Sequence, residues 1–255
     1  MIFRRIKAHV ESENWFAVAI DFCIVVIGVF IGLQVANWNA ARGDHAAEVR
    51  YLEALLSDVS ASITHLEDRL ADMEAQQVFR QKLYAYSRVP DGTPLPEDID
   101  DLLQGGLFFI VRVDVSQNAF ETLTNSGQIS LIQDPNLVSA LQELDTAIEG
   151  ANGWQEEILL FTYDFSDHFM IEETNMEPVS QVAALGVGNL IEWIEDGEHP
   201  ETLSPALRSR QFRNMLIYQA AISSGRIIST KALLDQYRDA KALIENRQSI
   251  LGLAP

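Results

Sequence analysis

Two patterns of hydrophobic and polar residues divide this chain. Residues 15–37 are apolar on every face of a helix and carry one formal charge, at Asp21. Beyond Gly43, apolar residues instead recur three and four positions apart, which is the period of one helix face. The first pattern is typical of a helix surrounded by lipid, and the second of a helix that packs on one side only.

The apolar run is long enough to cross a membrane. At about 1.5 Å per residue it extends roughly 35 Å, against a hydrocarbon core of about 30 Å. Trp15 and Trp38 bracket it, where aromatic residues favour the membrane interface. A buried core helix of a soluble protein is the alternative, but such helices are seldom apolar on all faces. We therefore predict a transmembrane helix at residues 15–38.

Basic residues set the predicted orientation of this helix. Arg4, Arg5 and Lys7 lie in a tail at residues 1–14, which we expect in the cytoplasm, with residues 44–255 outside it. A cleaved signal peptide is the rival, but its apolar region is usually only about 7–15 residues long and ends at small residues. The sequence favours an uncleaved signal anchor.

One face of the anchor carries unusual residues. Asp21, Gly28 and Gly32 fall close together around the helix, and Ala36 extends the track of small residues. Such a face allows a second transmembrane helix to approach closely. Equally, Asp21 can be tolerated near the membrane–water interface, and glycine is common in membrane helices. Both interpretations stay open.

A long helix is predicted from Gly43 to about Ser87. Its apolar stripe repeats at spacings of three and four, in a heptad pattern: Val49, Leu52, Leu56, Val59, Ile63, Leu66, Leu70 and Met73. The stripe permits a parallel coiled-coil dimer, but in a straight helix it lies roughly 140° from the glycine track. A single dimer interface can include both the heptad stripe and the glycine track only if the helix breaks near residues 39–43. We favour antiparallel packing against a C-terminal helix that starts at Ser204-Pro205 and reaches about Leu251.

Shorter helices fill the middle of the chain. Val89–Asp98 reads as a turn-rich loop, and Leu107–Val115 as an irregular or buried helical piece without a partner strand. We expect Gly127 to end one helix in the left-handed conformation. Further helices are predicted at three places: after Asp134-Pro135, through Trp154, Phe161, Phe165 and Phe169, and at Leu190, Ile191 and Ile194. We also expect Gly225 to kink the last helix. The predicted fold is all-α, with one N-terminal transmembrane helix and an antiparallel bundle whose first and last helices are long.

Charge is strongly negative and unevenly placed. The net charge of −19 excludes a general nucleic-acid binder. Eighteen Asp and Glu residues lie from Asp114 to Glu201, where there is no Lys or Arg, whereas the segment Arg208 to Arg247 is basic. The basic segment either packs beside the acidic one, which we favour, or leaves an acidic surface for a basic partner. The only cysteine, Cys23, lies in the apolar run, so no intramolecular disulfide forms.

Two blocks of the sequence resemble a bacterial family of single-pass membrane proteins, an uncharacterised domain of unknown function. The run from Ala19 to Asn39 shows the family's acidic residue, Val-Ile-Gly core, Leu-Gln pair and Asn-Trp-Asn ending. The second block is Phe120 to Leu137, with its Ser-Gly and following hydrophobic pair. The resemblance implies a single-pass envelope protein and no activity. With the predicted orientation, we expect it in the bacterial inner membrane with most of its chain in the periplasm.

Candidate chemistry is sparse. Asp164, His168 and Glu172 are spaced four apart along one helix face and are weak candidates for metal ligands. Along a single helix they span about 12 Å and do not converge without help from another element. An exposed polar face is the preferred interpretation. No hydrolase elbow, zinc-protease motif, phosphate loop or dinucleotide fingerprint occurs, so we expect no cofactor, no metal and no catalytic residue.

Three functions stay open. The first is a non-enzymatic module that binds or scaffolds an envelope protein, a transmembrane partner or a second copy of itself, beside membrane lipid and not nucleic acid. The second is a ligand sensor with a pocket at Trp154, Phe161 and Phe165. Because its cytoplasmic tail is short, such a sensor needs a transmembrane partner. The third is a metal-dependent hydrolase using Asp164, His168 and Glu172.

Overall fold

The computed structural model describes residues 15–182, 193–195 and 197–253. All regular secondary structure in these ranges is helical, and they contain no strand, so the all-α prediction is confirmed. The chain divides into two compact units, Met1–Tyr51 and Leu52–Pro255. We describe each unit by itself.

The regular secondary structure of the described residues consists of eight α-helices, two π-helical turns and one 3₁₀ turn. The helices are α1 (Trp15–Tyr86), α2 (Ile99–Leu103), α3 (Asn118–Asn125), α4 (Pro135–Phe161), α5 (Asp167–Glu173), α6 (Met176–Gln181), α7 (Leu203–Leu207) and α8 (Arg210–Ile250). Wider π-helical turns occupy Gln104–Phe108 and Thr162–Ser166, and a 3₁₀ turn occupies Ile129–Leu131. The predicted loop Val89–Asp98 lies between α1 and α2 without regular structure over most of its length.

In the first unit, α1 is continuous through residues 39–43. It is the one described helix that is long and apolar enough to cross a membrane. Its most apolar 18-residue window has a mean hydropathy of 2.4, and no residue of that window is buried. Within the described chain, the apolar run is therefore not a buried core helix.

In the second unit, α8 packs along the later part of α1. Arg238 Nη2 lies 2.7 Å from Glu67 Oε1, and Lys231 Nζ lies 2.7 Å from Glu74 Oε1. Further along, Arg80 Nη1 donates to Ser223 Oγ at 2.8 Å. The partner numbers fall along α8 as they rise along α1, so the two helices run in opposite directions here.

The predicted stripe on α1 lies on its packed side, with a small rotation. Five of its residues are buried: Leu52, Val59, Leu66, Leu70 and Met73. The other three, Val49, Leu56 and Ile63, are half-buried. Leu55 and Ser62, which each precede a half-buried stripe residue by one position, are buried instead. The packed face of α1 is therefore rotated by about one residue from the predicted stripe. Further along, polar residues continue this buried line, at Gln76 and Arg80.

The last long helix begins later than predicted. Ser204 and Pro205 lie inside the short helix α7, and the chain turns at Arg208 before α8. Ser209 caps α8, because its Oγ accepts a hydrogen bond from the Phe212 N–H at 3.0 Å. The Ser-Pro pair thus lies within one short helix that begins at Leu203, and the serine five residues later caps the long helix.

Two helices predicted in the middle of the chain are one. α4 starts at Pro135, where the Asp134 carboxylate accepts from the N–H groups of Asn136 (2.9 Å) and Leu137 (3.4 Å). It runs without a break to Phe161 and continues through the π turn into α5. Of the last predicted short helix, Leu190 and Ile191 lie outside the described residues, and Ile194 is not helical.

Residues 109–117 form a non-helical segment, with Val111 and Val113 buried, that has no strand partners in the described chain. Side chains from distant helices supply its backbone hydrogen bonds. Gln76 donates to the Phe109 carbonyl, Arg226 to the Val111 carbonyl, and Gln155 accepts from the Val113 N–H at 2.8 Å. These bonds meet the requirement that buried backbone polar groups be paired. The predicted irregular piece is therefore a segment held by side chains.

One cluster of buried residues in the second unit lies at the C-terminal end of α1. Its buried residues come from α1, α2, α5, α6, α7, α8 and the first π turn: Leu83, Tyr86, Ile99, Leu102, Leu103, Leu107, Met170, Val179, Leu203, Leu207, Phe212 and Leu216. This core fixes α5 beside the start of α8. The candidate site lies between those two elements.

Candidate functional site

A cleft of about 910 Å³ opens between the end of α4, the second π turn, α5 and the beginning of α8. Aromatic rings, carboxylates and a few cations and amides line it: Phe161, Asp164, Phe165, His168, Phe169, Glu172, Glu173, Ala206, Ser209, Arg210, Gln211, Phe212, Asn214, Met215 and Tyr218. All of these residues belong to the second unit. The volume is at the upper end for small-molecule sites, which are about 300–1,000 Å³.

Aromatic rings form one wall of the cleft. Phe161 stacks on Phe165 with ring centroids 4.9 Å apart and on Tyr218 at 4.8 Å. Deeper in, Phe169 lies 4.8 Å from the fully buried ring of Phe212. The outer rings remain open to solvent, since Phe165 and Tyr218 are each 53% exposed. Exposed aromatic rings held in fixed stacks are typical of binding surfaces.

The π turn Thr162–Ser166 keeps these rings together. Phe161, Phe165 and Phe169 are four apart, a spacing that drifts around a regular α-helix by about 40° per step. A π turn has more residues per turn, so rings four apart stay closer to one side of it. The same turn places Asp164 on the cleft, while Thr162 and Ser166 are buried on its other side. Burial also raises the pKa of the neighbouring Asp167 carboxyl.

Carboxylates give the cleft a negative character. Asp164, Glu172 and Glu173 line it, against one arginine, Arg210. His168 Nε2 lies 3.1 Å from Glu172 Oε2 on the exposed face of α5. Within the described residues, Asp164 and Glu173 form no ion pair. Their charge is therefore available to a ligand.

The predicted metal residues all line this cleft, but they do not form a cluster. Asp164, His168 and Glu172 follow one another along a single wall, and only His168 and Glu172 are paired. In the described part of the chain, no three His, Cys, Asp or Glu side chains are grouped closely enough to hold a metal ion. The hydrolase hypothesis gains no support from this geometry.

The predicted sensor pocket is present in part. Phe161 and Phe165 line the cleft, whereas Trp154 lies outside it and packs against Gly225 of α8. Sequence reasoning missed Tyr218 and Arg210, which α8 brings to the cleft. No local signal marks them, because their role depends on where α8 starts.

The predicted membrane-helix contact face lies on the first unit. Asp21, Gly28 and Gly32 are exposed, and a Cβ added at either glycine meets nothing within 4 Å. The described residues therefore leave this face uncovered.

The basic segment lies beside the acidic middle, as we favoured from the sequence, because α8 packs along α4. Its Lys231 and Arg238 pair with Glu74 and Glu67 of α1. Arg226 and Arg213 donate to backbone carbonyls instead. Several carboxylates of α4, among them Glu143, Glu149 and Glu156, nonetheless face solvent.

No family model, curated protein or solved structure matches this chain. The resemblance to the bacterial membrane family stays a prediction from the two sequence blocks.

Proposed function

We propose that this protein is a membrane-anchored module whose acidic helical domain binds a basic segment of another envelope protein. The observation that carries the proposal is the cleft at Phe161, Phe165 and Tyr218, where exposed rings stand beside carboxylates. Aromatic faces and carboxylates together suit a cationic segment that also carries an apolar side chain. In this proposal α1 anchors the module in the bacterial inner membrane, and the outer domain is a periplasmic antiparallel bundle.

Topology is tested first, by labelling single cysteines in a Cys23→Ser background. Ser249 is exposed near the end of α8, and Ser12 precedes the apolar run. A membrane-impermeant maleimide is expected to label Ser249→Cys in cells with a permeabilised outer membrane. Ser12→Cys should react only after lysis. Labelling of Ser12→Cys in intact cells would refute the proposed orientation.

Partner binding is tested with the full chain in a mild detergent. The probe is a short fluorescent peptide of alternating Lys and Phe, with a Glu-Phe peptide as its charge control. We expect the Lys-Phe peptide alone to bind, more weakly as salt is raised, because surface charges are screened. Phe165→Ala should weaken binding about tenfold or more, as truncation of a central interface residue does.

The matched control is Ile171→Ala. Ile171 is an exposed apolar residue of α5 that does not line the cleft. The Ile171→Ala substitution should leave the affinity for the Lys-Phe peptide unchanged. Equal losses in Phe165→Ala and Ile171→Ala, or equal binding of both peptides, would contradict the proposal.

The ligand sensor is the second candidate, and the volume of the cleft together with the placement of Phe161 and Phe165 favours it. In this second proposal the sensor acts through a transmembrane partner. Mass spectrometry of small molecules released from the purified full chain distinguishes the two candidates. A stoichiometric ligand that is absent from Phe165→Ala protein supports the sensor and argues against a peptide site.

A further inference from the structure

Two arginines lie buried between α1 and α8 without an acidic partner. Arg80 and Arg226 are each only 3% exposed. Arg80 donates from Nε to the Gly106 carbonyl at 2.9 Å and from Nη1 to Ser223 Oγ at 2.8 Å and Gln77 Oε1 at 3.3 Å. Arg226 donates to the Val111 carbonyl. Within the described residues, neither guanidinium has a carboxylate oxygen within 4 Å.

Buried charges in proteins are normally paired, because removing an ion from water is costly. Here burial lowers the pKa of Arg80 to about 9, and the charge of Arg226 contributes to the shift. Burial likewise lowers the pKa of Arg226 to about 10. The carbonyl partners satisfy individual N–H groups but carry no net negative charge. An anion placed beside Arg80 would offset both desolvation and the repulsion between the two cations.

A groove of about 370 Å³ gives access to Arg80 from the surface. α1 contributes Gln77, Gln81 and Tyr84 beside Arg80, and α8 contributes Leu216, Ile217, Ala220 and Ser224. Arg80 Nη2 donates no hydrogen bond to any described residue. The groove thus combines the Arg80 guanidinium, which keeps N–H groups without a partner among the described residues, with amide and hydroxyl groups and one apolar wall.

We propose that this groove binds a small ligand with an oxyanion head, a carboxylate or a phosphate, and a short apolar tail. The head lies against Arg80, whose planar donors suit oxyanions, with Gln81 or Tyr84 completing its hydrogen bonds. The tail lies along Leu216, Ile217 and Ala220. None of the residues lining this groove lines the aromatic cleft, so the inference is independent of the proposed function.

Calorimetric titration of the full chain in detergent tests the site with two probes, hexanoate and inorganic phosphate. Chloride at matched ionic strength controls for general salt effects. We expect saturable binding of at least one probe and none of chloride. Binding of hexanoate alone assigns a carboxylate with an apolar tail, and binding of phosphate alone assigns a phosphate head. If neither probe binds, the proposal is wrong.

Two substitutions locate the binding. Ala220→Phe fills the groove without removing Arg80, whereas Ala221→Phe places the same ring at an exposed position outside it. The probe that binds should lose affinity about tenfold or more in Ala220→Phe and keep it in Ala221→Phe. Arg80→Lys keeps the charge but loses the planar fork, and we expect a loss of similar size. Unchanged affinity in folded Ala220→Phe would overturn the proposal even if Arg80→Lys fails to fold.

Discussion

Gly225 of α8 lies directly against the indole ring of Trp154 of α4. A Cβ built on Gly225 would stand 2.8 Å from two ring carbons, closer than real Cβ atoms approach other heavy atoms. The helix continues through Gly225, so the kink expected from the sequence does not break it. The glycine instead makes room for the ring where α4 and α8 pack.

Alanine substitutions at two helical glycines should therefore have different effects. At Gly150 of α4 a Cβ meets nothing within 4 Å, so Gly150→Ala is expected to stabilise the fold by about 0.5–1 kcal/mol. At Gly225 the same gain in helix propensity is opposed by overpacking against Trp154. We expect Gly225→Ala to be less stable than Gly150→Ala by at least about 1 kcal/mol. Denaturant unfolding of the full chain measures both, and equal stabilities would show that the ring moves aside freely.

The cap of α4 offers a second test of stability. The Asp134 carboxylate accepts hydrogen bonds from the N–H groups of Asn136 and Leu137. Asp134→Ala leaves these donors without that partner and should cost about 1 kcal/mol. Ser139→Ala, at an exposed position one turn into the same helix, is the matched control and should change the free energy of unfolding little. A loss at Ser139 as large as that at Asp134 would contradict a capping role.

The sequence predicts those parts of the fold whose causes are local. Asp134-Pro135 starts a helix through a side chain and a fixed φ angle. Gly127 ends α3 with φ +69°, and the bonds from Gly127 N–H to the Thr124 carbonyl and from Gln128 N–H to the Leu123 carbonyl complete the cap. In each case residues within one turn determine the outcome.

Long-range pairing explains what the sequence did not predict. Residues 109–117 contain apolar β-branched residues, yet their backbone is held by Gln76, Gln155 and Arg226, which lie far away in the chain. The cleft likewise needs residues 161–173 of one region beside Ser209–Tyr218 of another. Phe161 and Phe165 were predicted as helix residues and, alternatively, as the lining of a sensor pocket, since nothing local distinguishes a ring that faces solvent from one in the core.

The phenol of Tyr237 predicts a defined alkaline sensitivity. Burial raises its pKa from 10.0 to about 12, and the nearby Asp58 carboxylate adds to the rise. Because the folded-state pKa is the higher one, the folded protein retains this proton while the unfolded chain loses it. The resulting stabilisation is complete below pH 10 and is lost as pH rises towards 12.

Tyr237→Phe removes this titration and is the comparison that isolates it. Between about pH 9 and pH 12, wild-type protein should lose on the order of 1–2 kcal/mol of stability relative to Tyr237→Phe. Unfolding of both proteins in denaturant at a series of pH values measures the difference. A constant difference across the range would show that Tyr237 ionises in the folded state as it does in the unfolded chain.

The uncovered glycines of the anchor predict a transmembrane contact. If Gly28 and Gly32 seat a second helix, a leucine at each position keeps the segment apolar but prevents close approach of the two backbones. We expect the wild-type chain in mild detergent to elute as a complex, and the double variant Gly28→Leu/Gly32→Leu to elute at the size of the single chain. Gly43→Leu is the matched control, because it adds the same side chain to an open position of α1 beyond the apolar run. Multi-angle light scattering separates the outcomes. A wild-type chain that elutes alone, or a complex that survives the double substitution, would leave Asp21 and the glycines as tolerated residues of a simple anchor.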